Sequence, residues 1–225
     1  MEKKLPVLSS ISNLKYFSSS LNEDELINVL SDIKHRLFPR PFERLSSLRE
    51  KQHGGGLVGI EIGVAAGEHA LSLLKNLNIE RLYLIDPYED YEQYLEGKLH
   101  YGIDQLSISE TELLARAALE KYSNQIIWLK KHSADAINFI DEKVDFVYID
   151  GNHQYEFVVE DINNYFPLLN ESGVLGGHDY YNGFQREHDG VINAVTSFSV
   201  THGLQLRSEL PDWWIEKWVN SQVKA

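Results

Sequence analysis

Short apolar runs alternate with amphipathic segments along most of this sequence. Each apolar run ends in a loop that contains Gly or Asp, and a segment with the period of an α-helix follows it. The pattern predicts strands at residues 57–62, 81–85, 126–129, 144–149 and 173–175, and helices at 68–76, 108–122, 134–139 and 157–169. Strands that alternate with helices are typical of an α/β fold with a parallel, doubly wound sheet that is covered on both faces.

The two ends of the chain differ from this repeated unit. Residues 20–38 have apolar positions at helical spacing behind Asn22, and the prolines at 39 and 41 end the segment. We therefore predict an N-terminal helical extension over residues 1–56 and one globular domain over 57–225. After a helix at 190–202, the segments 204–210 and 213–219 fit a pair of edge strands around Pro211, although the tryptophans of the second segment fit a helix almost as well. With this pair the sheet has seven strands and is mostly parallel.

Composition narrows the class of protein. With 225 residues, 43% of them hydrophobic, the chain can bury one sizeable core. Cysteine is absent, which excludes disulfides, thiolate ligands and a Cys nucleophile and suits a reducing compartment. No apolar run has the length of a membrane span and the N-terminus lacks a signal-peptide core, so we expect a cytoplasmic protein without membrane association. The formal charge of −13, without a Lys/Arg cluster, argues against nucleic acid as a partner.

The loop after the first predicted strand indicates a small-molecule site. In LVGIEIGVAAGEHALSLL, Glu61 precedes Gly63, and Gly67 follows before the helix begins. Glycines at this edge of a doubly wound sheet let a ligand approach the backbone closely. The dinucleotide pattern GxGxxG is not met, because Ala65 stands in place of the middle glycine, and no GK(S/T) follows as in a P-loop.

This acid and these glycines resemble motif I of class I S-adenosylmethionine-dependent methyltransferases. The next strand, RLYLID, ends at Asp86, where that family has an acid that binds both ribose hydroxyls. A turn-forming Asp before Pro87 is the alternative. The segment LKKHSADA is similar to the part of the family that meets adenine, which implicates Ser133, although Ser133 equally suits the N-cap of the following helix. The resemblance implies S-adenosylmethionine as the cofactor and a Rossmann-like methyltransferase fold.

Acids and imidazoles follow two further predicted strands. FVYID ends at Asp150, with His153 three residues later, and GVLGGHDY carries His178 and Asp179 directly after its apolar run. Because the carboxyl ends of parallel strands meet at one edge of the sheet, we expect these four side chains to lie in one crevice. Asp150 is then expected beside the methyl group of the cofactor.

The sequences IDGNHQYE and GVLGGHDY resemble a branch of class I methyltransferases that includes macrolide-sugar O-methyltransferases and cephalosporin-hydroxylase-like proteins. By position, the resemblance implies that Asp150, His178 and Asp179 hold a divalent cation, and that His153 is the catalytic base. His178 stands where the best-studied metal sites of the branch have an acid. Imidazole is a poorer ligand for Mg²⁺ than carboxylate is, so either Mn²⁺ or Fe²⁺ is favoured or no metal binds.

The function expected from this resemblance is methyl transfer to an oxygen of a small hydroxylated acceptor, such as a sugar or a secondary metabolite. A metal-dependent hydrolase or hydroxylase would use the same acids and imidazoles, but it leaves Glu61, Gly63, Gly67 and Asp86 without a role. A non-catalytic binding protein is the third reading. The acceptor is not readable from the sequence, since the polar, Tyr-rich segment 87–107 fits either a substrate lid or a solvated insertion. Homo-oligomerisation also stays open.

Overall fold

The computed structural model describes residues 40–51, 54–89, 108–180 and 189–217. The helix predicted at 20–38, most of the segment 87–107 and the end of the second predicted edge strand lie outside the described residues. The described ranges contain every strand of the predicted parallel sheet.

Seven strands form one sheet in the order β3-β2-β1-β4-β5-β7-β6. They are β1 (Leu57–Ile62), β2 (Ile79–Ile85), β3 (Ile126–Leu129), β4 (Val144–Ile149), β5 (Leu169–Gly177), β6 (Leu206–Glu209) and β7 (Asp212–Glu216). Neighbouring strands from β3 to β5 are parallel, whereas β7 runs antiparallel to both β5 and β6. The predicted mostly parallel, seven-stranded α/β sheet is confirmed, and the tryptophan-rich segment near the C-terminus forms a strand rather than a helix.

Two strands are longer than their apolar patterns indicate. β2 begins at Ile79 rather than at residue 81, and β5 extends over Leu169–Gly177 rather than over 173–175. In β5 the polar run Asn170–Ser172 interrupts the apolar pattern, and the pairing with β4 contains an irregularity at this point. The sequence therefore marks only the apolar centre of this strand.

Helices cover both faces of the sheet. They are α1 (Ser46–Lys51), α2 (Glu68–Asn76), α3 (Ile108–Leu119), α4 (Ser133–Ala136), α5 (Tyr155–Tyr165) and α6 (Asp189–His202). Short 3₁₀ turns stand at Phe42–Arg44, Glu120–Gln125, Ile137–Phe139 and Phe166–Leu168. Every helix predicted within the described residues is present, although three of them continue into 3₁₀ turns.

The core consists of two layers, one on each face of the sheet. Along β4, Val147 and Ile149 pack under α5 and α6, whereas Phe146 and Tyr148 pack on the opposite face with α2 and α3. Phe42 and α1 complete this second layer, so residues ahead of the predicted domain boundary at 56 contribute to the core. The division at residue 56 stays a prediction.

Within the described ranges, no helix combines the length and apolar character that crossing a lipid bilayer requires.

The strand order reverses direction at β1, whose neighbours are β2 and β4. In doubly wound sheets a ligand crevice opens outside the carboxyl ends of the strands at this reversal. We therefore expect the ligand crevice at the loops that follow β1, β2, β4 and β5.

Candidate active site

Backbone hydrogen bonds join the loops at the carboxyl edge of the sheet. The N–H of Gly63 donates to the carbonyl of Ile85 (2.9 Å), and that of Asp150 donates to Ile62 (2.7 Å). Beyond β4, the N–H of His178 donates to the carbonyl of Ile149 (3.0 Å). The ends of four neighbouring strands are thus fixed beside one another, as the sequence predicted.

The glycine loop after β1 needs its two glycines for different reasons. Gly63 has a φ of 84°, and an added Cβ would lie 2.0 Å from the carbonyl oxygen of Asp150, so only glycine fits there. Gly67 has a φ of 78° and lies against α3, where a Cβ would stand 3.1 Å from Leu119. Gly63 therefore brings the loop onto the strand that carries Asp150, and Gly67 lets α2 and α3 approach each other.

Asp86 binds the backbone of the glycine loop. Its Oδ2 accepts hydrogen bonds from the N–H groups of Val64 and Ala65, both at 3.0 Å, and its Oδ1 accepts one from Tyr88 (2.8 Å). The hydroxyl of Tyr88 in turn donates to the carbonyl of Ala65 (2.9 Å). Ala65 has a φ of 45°, which is unusual for a residue other than glycine, and these contacts hold it there. The shape of the loop therefore depends on Asp86.

Glu61 points into the protein rather than toward the crevice. Its side chain is 1% exposed, and Oε1 lies 3.3 Å from Nδ1 of His69. On its other side, Nε2 of His69 lies 3.7 Å from Oε1 of Glu43. Burial raises the pKa of Glu61 well above its usual range and raises that of Glu43 to about 7. This buried triad joins the segment before β1 to the floor of the site.

The predicted acids and imidazoles form one group, which we call the rim cluster: Asp150, His153, His178 and Asp179. Nε2 of His153 lies 2.6 Å from Oδ2 of Asp179. Nδ1 of His178 lies 3.1 Å from the other oxygen of Asp179 and 3.8 Å from Oδ1 of Asp150. Asp179 therefore bridges the two imidazoles, and its φ of 61° is uncommon for a residue other than glycine.

The rim cluster shifts the proton affinities of its own members. Burial lowers the pKa of both imidazoles, but the neighbouring carboxylates outweigh it: Asp179 raises the pKa of His153, and Asp179 with Asp150 raises that of His178 to about 9. Burial acts to raise the pKa of Asp179, yet the two imidazoles hold it well below its usual range. Asp179 is therefore an ionised carboxylate that stabilises positive charge on its neighbours.

Comparison with known proteins decides the family. A family model described as a methyltransferase domain matches residues 60–180, more than half of the chain. The chain belongs to the methyltransferase family. Its domain is that of a class I S-adenosylmethionine-dependent methyltransferase, which confirms the resemblance seen in the glycine loop and the following acid.

Three proteins illustrate what this methyltransferase is similar to. An uncharacterized protein of Acanthamoeba polyphaga mimivirus is 26% identical over 163 residues, which are 66% of this chain and 64% of that protein. The structure of the O-methyltransferase NovP superposes with a TM-score of 0.55 at 14% identity, covering 78% of this chain and 79% of NovP. A calicheamicin methyltransferase superposes with a TM-score of 0.57 at 11% identity, covering 96% of this chain and 94% of its own. NovP and the calicheamicin methyltransferase share the fold of this chain. The chain spans less than two thirds of the length of the mimivirus protein.

In the part of the methyltransferase that the structure describes, one group of side chains has the spacing that a metal ion needs. Among the described residues, Asp150, His153 and Asp179 offer ligand atoms that lie within 4.8 Å of one another. Two carboxylates and an imidazole form a donor set that suits Mn²⁺ or Fe²⁺ better than Mg²⁺. The set contains His153, the predicted base, where the resemblance had placed His178.

Ser133 does not cap α4, contrary to one of its two predicted roles. It is the first residue of that helix, and His132 occupies the N-cap position. Two residues of α5, one turn apart, contact Ser133: the Asp161 carboxylate accepts a hydrogen bond from its hydroxyl, and the Tyr165 hydroxyl donates to its carbonyl (2.7 Å). The contact of Ser133 with adenine stays a prediction.

Asp161 is buried, although charged residues of an amphipathic helix ordinarily lie on its exposed face. Only 3% of it is accessible, since it lies on the same helix face as Val158, Ile162 and Tyr165. Burial raises its pKa to about 7, against the lowering effect of the bond to Ser133. The stability that the protonated carboxyl contributes is thus full below the unfolded pKa of about 4 and is lost as the pH rises through about 7.

Asp161→Asn should remove this pH dependence. We expect the free energy of unfolding of the variant, relative to the wild type, to rise by about 2 kcal/mol between about pH 5 and about pH 8. Urea denaturation at the two pH values measures the difference, and Glu156→Gln, which changes an exposed acid of the same helix, is the control. An equal difference between Asp161→Asn and wild type at both pH values would contradict the burial argument.

Sequence reasoning missed three residues beside the rim cluster. Arg40 donates from Nη1 to the hydroxyl of Tyr148 (2.8 Å), and that hydroxyl donates to Oδ1 of Asp212 (2.8 Å). Arg40 and Asp212 both lie outside the part of the chain that the family model matches. The alternation of apolar residues in β4 places Tyr148 on a buried face, but no pattern in the sequence indicates its partners.

Proposed function

We propose that this methyltransferase transfers a methyl group from S-adenosylmethionine to an oxygen of a small hydroxylated acceptor, such as a sugar or a secondary metabolite, with His153 as general base. The observation that carries the proposal is the 2.6 Å contact between His153 and Asp179 beside Asp150 at the carboxyl edge of β4 and β5. An ionised acid behind an imidazole is the arrangement that stabilises the imidazolium formed when a hydroxyl loses its proton.

The side chains of the rim cluster can accept the proton that the acceptor hydroxyl loses during methyl transfer. An alcohol or phenol is a weak nucleophile until its proton leaves, and His153 accepts that proton. The acceptor oxygen then forms a bond to the methyl carbon as the bond from that carbon to sulfur breaks, which leaves S-adenosylhomocysteine and the methyl ether. Asp179 stabilises the charge on His153 until the proton passes to solvent. Orientation of the oxygen and the methyl group in the crevice supplies much of the remaining acceleration.

S-adenosylmethionine is consumed as a co-substrate, and the loops at the strand ends fit it. The glycine loop keeps Gly63 free of a side chain at the rim, and we assign Asp86 to the ribose hydroxyls and Ser133 to the adenine. Asp150 would border the methyl group. Glu61 would act from below, through His69 and the loop, because its carboxylate is buried.

A divalent cation fits the same proposal. Asp150 and Asp179 would hold it, together with either His178, as the resemblance implies, or His153, as the spacing of ligand atoms favours. A bound cation lowers the pKa of an acceptor hydroxyl. A His153 that binds the cation through Nε2 would give up the contact of that nitrogen with Asp179, which stabilises its imidazolium, so the two assignments are separable by experiment.

The choice of oxygen as acceptor atom rests on the chemistry of the rim cluster. NovP is an O-methyltransferase, and another structure with this fold is a calicheamicin methyltransferase. A general base next to a carboxylate is needed for a hydroxyl acceptor, whereas an amine that is already neutral needs no base for its attack.

The test is a methyl-transfer assay with isotopically labelled S-adenosylmethionine and a panel of sugars, phenols and the corresponding amines and thiols. We expect label in ethers of hydroxylated acceptors, and turnover that depends on His153. Transfer to amines alone would contradict the proposal. Release of hydrolysed or oxidised product without label transfer would favour the metal-dependent hydrolase or hydroxylase instead.

A further inference from the structure

Arg40 enters the active site from the segment that precedes β1. Two residues later, Phe42 is fully buried, with its ring edge-on to those of Phe146 (5.7 Å) and Tyr148 (5.2 Å). Room for Phe42 exists because residue 176 is glycine: a Cβ there would lie 2.5 Å from the Phe42 ring. The position of Arg40 is therefore fixed by core packing.

The guanidinium of Arg40 lies next to a member of the rim cluster. Its Nη1 is 3.6 Å from Oδ2 of Asp150, while the same nitrogen donates to the Tyr148 hydroxyl. The two side chains of this ion pair are 17% and 23% exposed, so solvent screens the pair only in part. Asp150 thus faces Arg40 with one oxygen and His178 with the other.

Arg40 differs from the imidazoles of the rim cluster in one respect. A guanidinium keeps its proton throughout the physiological pH range, whereas an imidazole can lose its proton to make room for a metal ion. A cation bound between Asp150 and Asp179 would therefore always face the positive charge of Arg40. Repulsion between charges a few ångströms apart in a partly buried site is large enough to change an affinity by an order of magnitude or more.

We propose that Arg40 is a positioning residue of the rim cluster: its guanidinium orients the Asp150 carboxylate, and its fixed charge weakens the binding of a divalent cation there. The inference rests on the proposed function only in taking the rim cluster as the active site. A purely structural role for Arg40 predicts the opposite sign, because loosening the site would weaken cation binding.

The test is a titration of the full chain with Mn²⁺, followed by electron paramagnetic resonance of the free ion, without cofactor or acceptor. Arg40→Gln removes the charge and keeps a donor for Tyr148, and we expect it to bind Mn²⁺ about tenfold more tightly than wild type. Arg40→Lys keeps the charge, so it should bind Mn²⁺ no more tightly than wild type. Arg44→Gln is the matched control, since Arg44 pairs with Glu209 on the surface (3.1 Å) in the same segment.

Orientation of Asp150 has a separate readout. Arg40→Lys replaces a planar fork by a single ammonium, and we expect its turnover to fall about tenfold while its affinity for S-adenosylhomocysteine stays within about twofold. Unchanged turnover in this variant would overturn the orienting role.

The charge effect is overturned if Arg40→Gln binds Mn²⁺ no more tightly than wild type, or if neither protein binds it. Should Arg40→Gln fail to fold, Arg40→Lys decides, because an affinity well above that of wild type would contradict the role of the charge. Since the titration needs no acceptor, a tighter Arg40→Gln site in a protein that methylates no hydroxyl would leave this inference standing and overturn the proposed function.

Discussion

Replacement of His153 by alanine should lower turnover by about 10²- to 10⁴-fold, because the acceptor hydroxyl loses the group that takes its proton. The affinity for S-adenosylhomocysteine should stay near that of wild type, since His153 contacts Asp179 rather than the glycine loop. Steady-state kinetics with a hydroxylated acceptor, together with calorimetric titration of the product nucleotide, measure the two quantities. Full turnover in the variant would end the assignment of His153 as base.

Two control variants sharpen this result. His202→Gln changes an exposed imidazole at the end of α6, and its turnover should equal that of wild type. His178→Ala separates the two roles of imidazole. If His178 holds the cation, the affinity for Mn²⁺ falls in His178→Ala and persists in His153→Ala. The reverse result assigns the metal to His153, and another residue must then be the general base.

Asp86→Asn should weaken the binding of S-adenosylmethionine by at least about tenfold, since the charged acceptor of the ribose hydroxyls is lost and the glycine loop loses its support. An amide has one acceptor oxygen, so it cannot serve the N–H groups of Val64 and Ala65 on one side and of Tyr88 on the other. We therefore also expect a loss of about 1–3 kcal/mol in the free energy of unfolding.

Calorimetry and urea denaturation of Asp86→Asn test both parts of this prediction. Asp141→Asn changes an exposed acid in the loop ahead of β4, and it is the control for loss of a negative charge alone. Unchanged nucleotide affinity in Asp86→Asn, with reduced stability, would show that Asp86 shapes the loop without binding the ribose.

The sequence predicts which residues follow the strands, because a polar residue that breaks an apolar run marks the region where a buried strand ends. Asp86, Asp150 and His178 all follow such runs, and parallel pairing then places them along one edge. The helical periodicity of α5 also indicates that Asp161 is buried, although its charge favours the opposite interpretation. It stands three residues after Val158 and four before Tyr165, and this spacing belongs to the buried face of α5.

Other parts of the site depend on contacts between residues distant in the sequence, which no local pattern encodes. Arg40 and Tyr148 are 108 residues apart, and the run Pro-Arg-Pro-Phe around Arg40 has no helical or strand period. The direction of Glu61 is a further case, because the motif specifies an acid at this position but not that His69 lies beneath it. The resemblance placed His178 among the metal ligands, whereas the spacing of ligand atoms favours His153. This difference depends on side-chain geometry, which a resemblance by sequence position does not give.

If the crevice at the carboxyl edge of β1, β2, β4 and β5 binds the methyl donor beside the rim cluster, calorimetric titration of the wild-type protein with S-adenosylmethionine will show it. We expect saturable heat from a single site, accompanied by a rise in the thermal unfolding midpoint. Absence of both heat and thermal shift at millimolar ligand would contradict it.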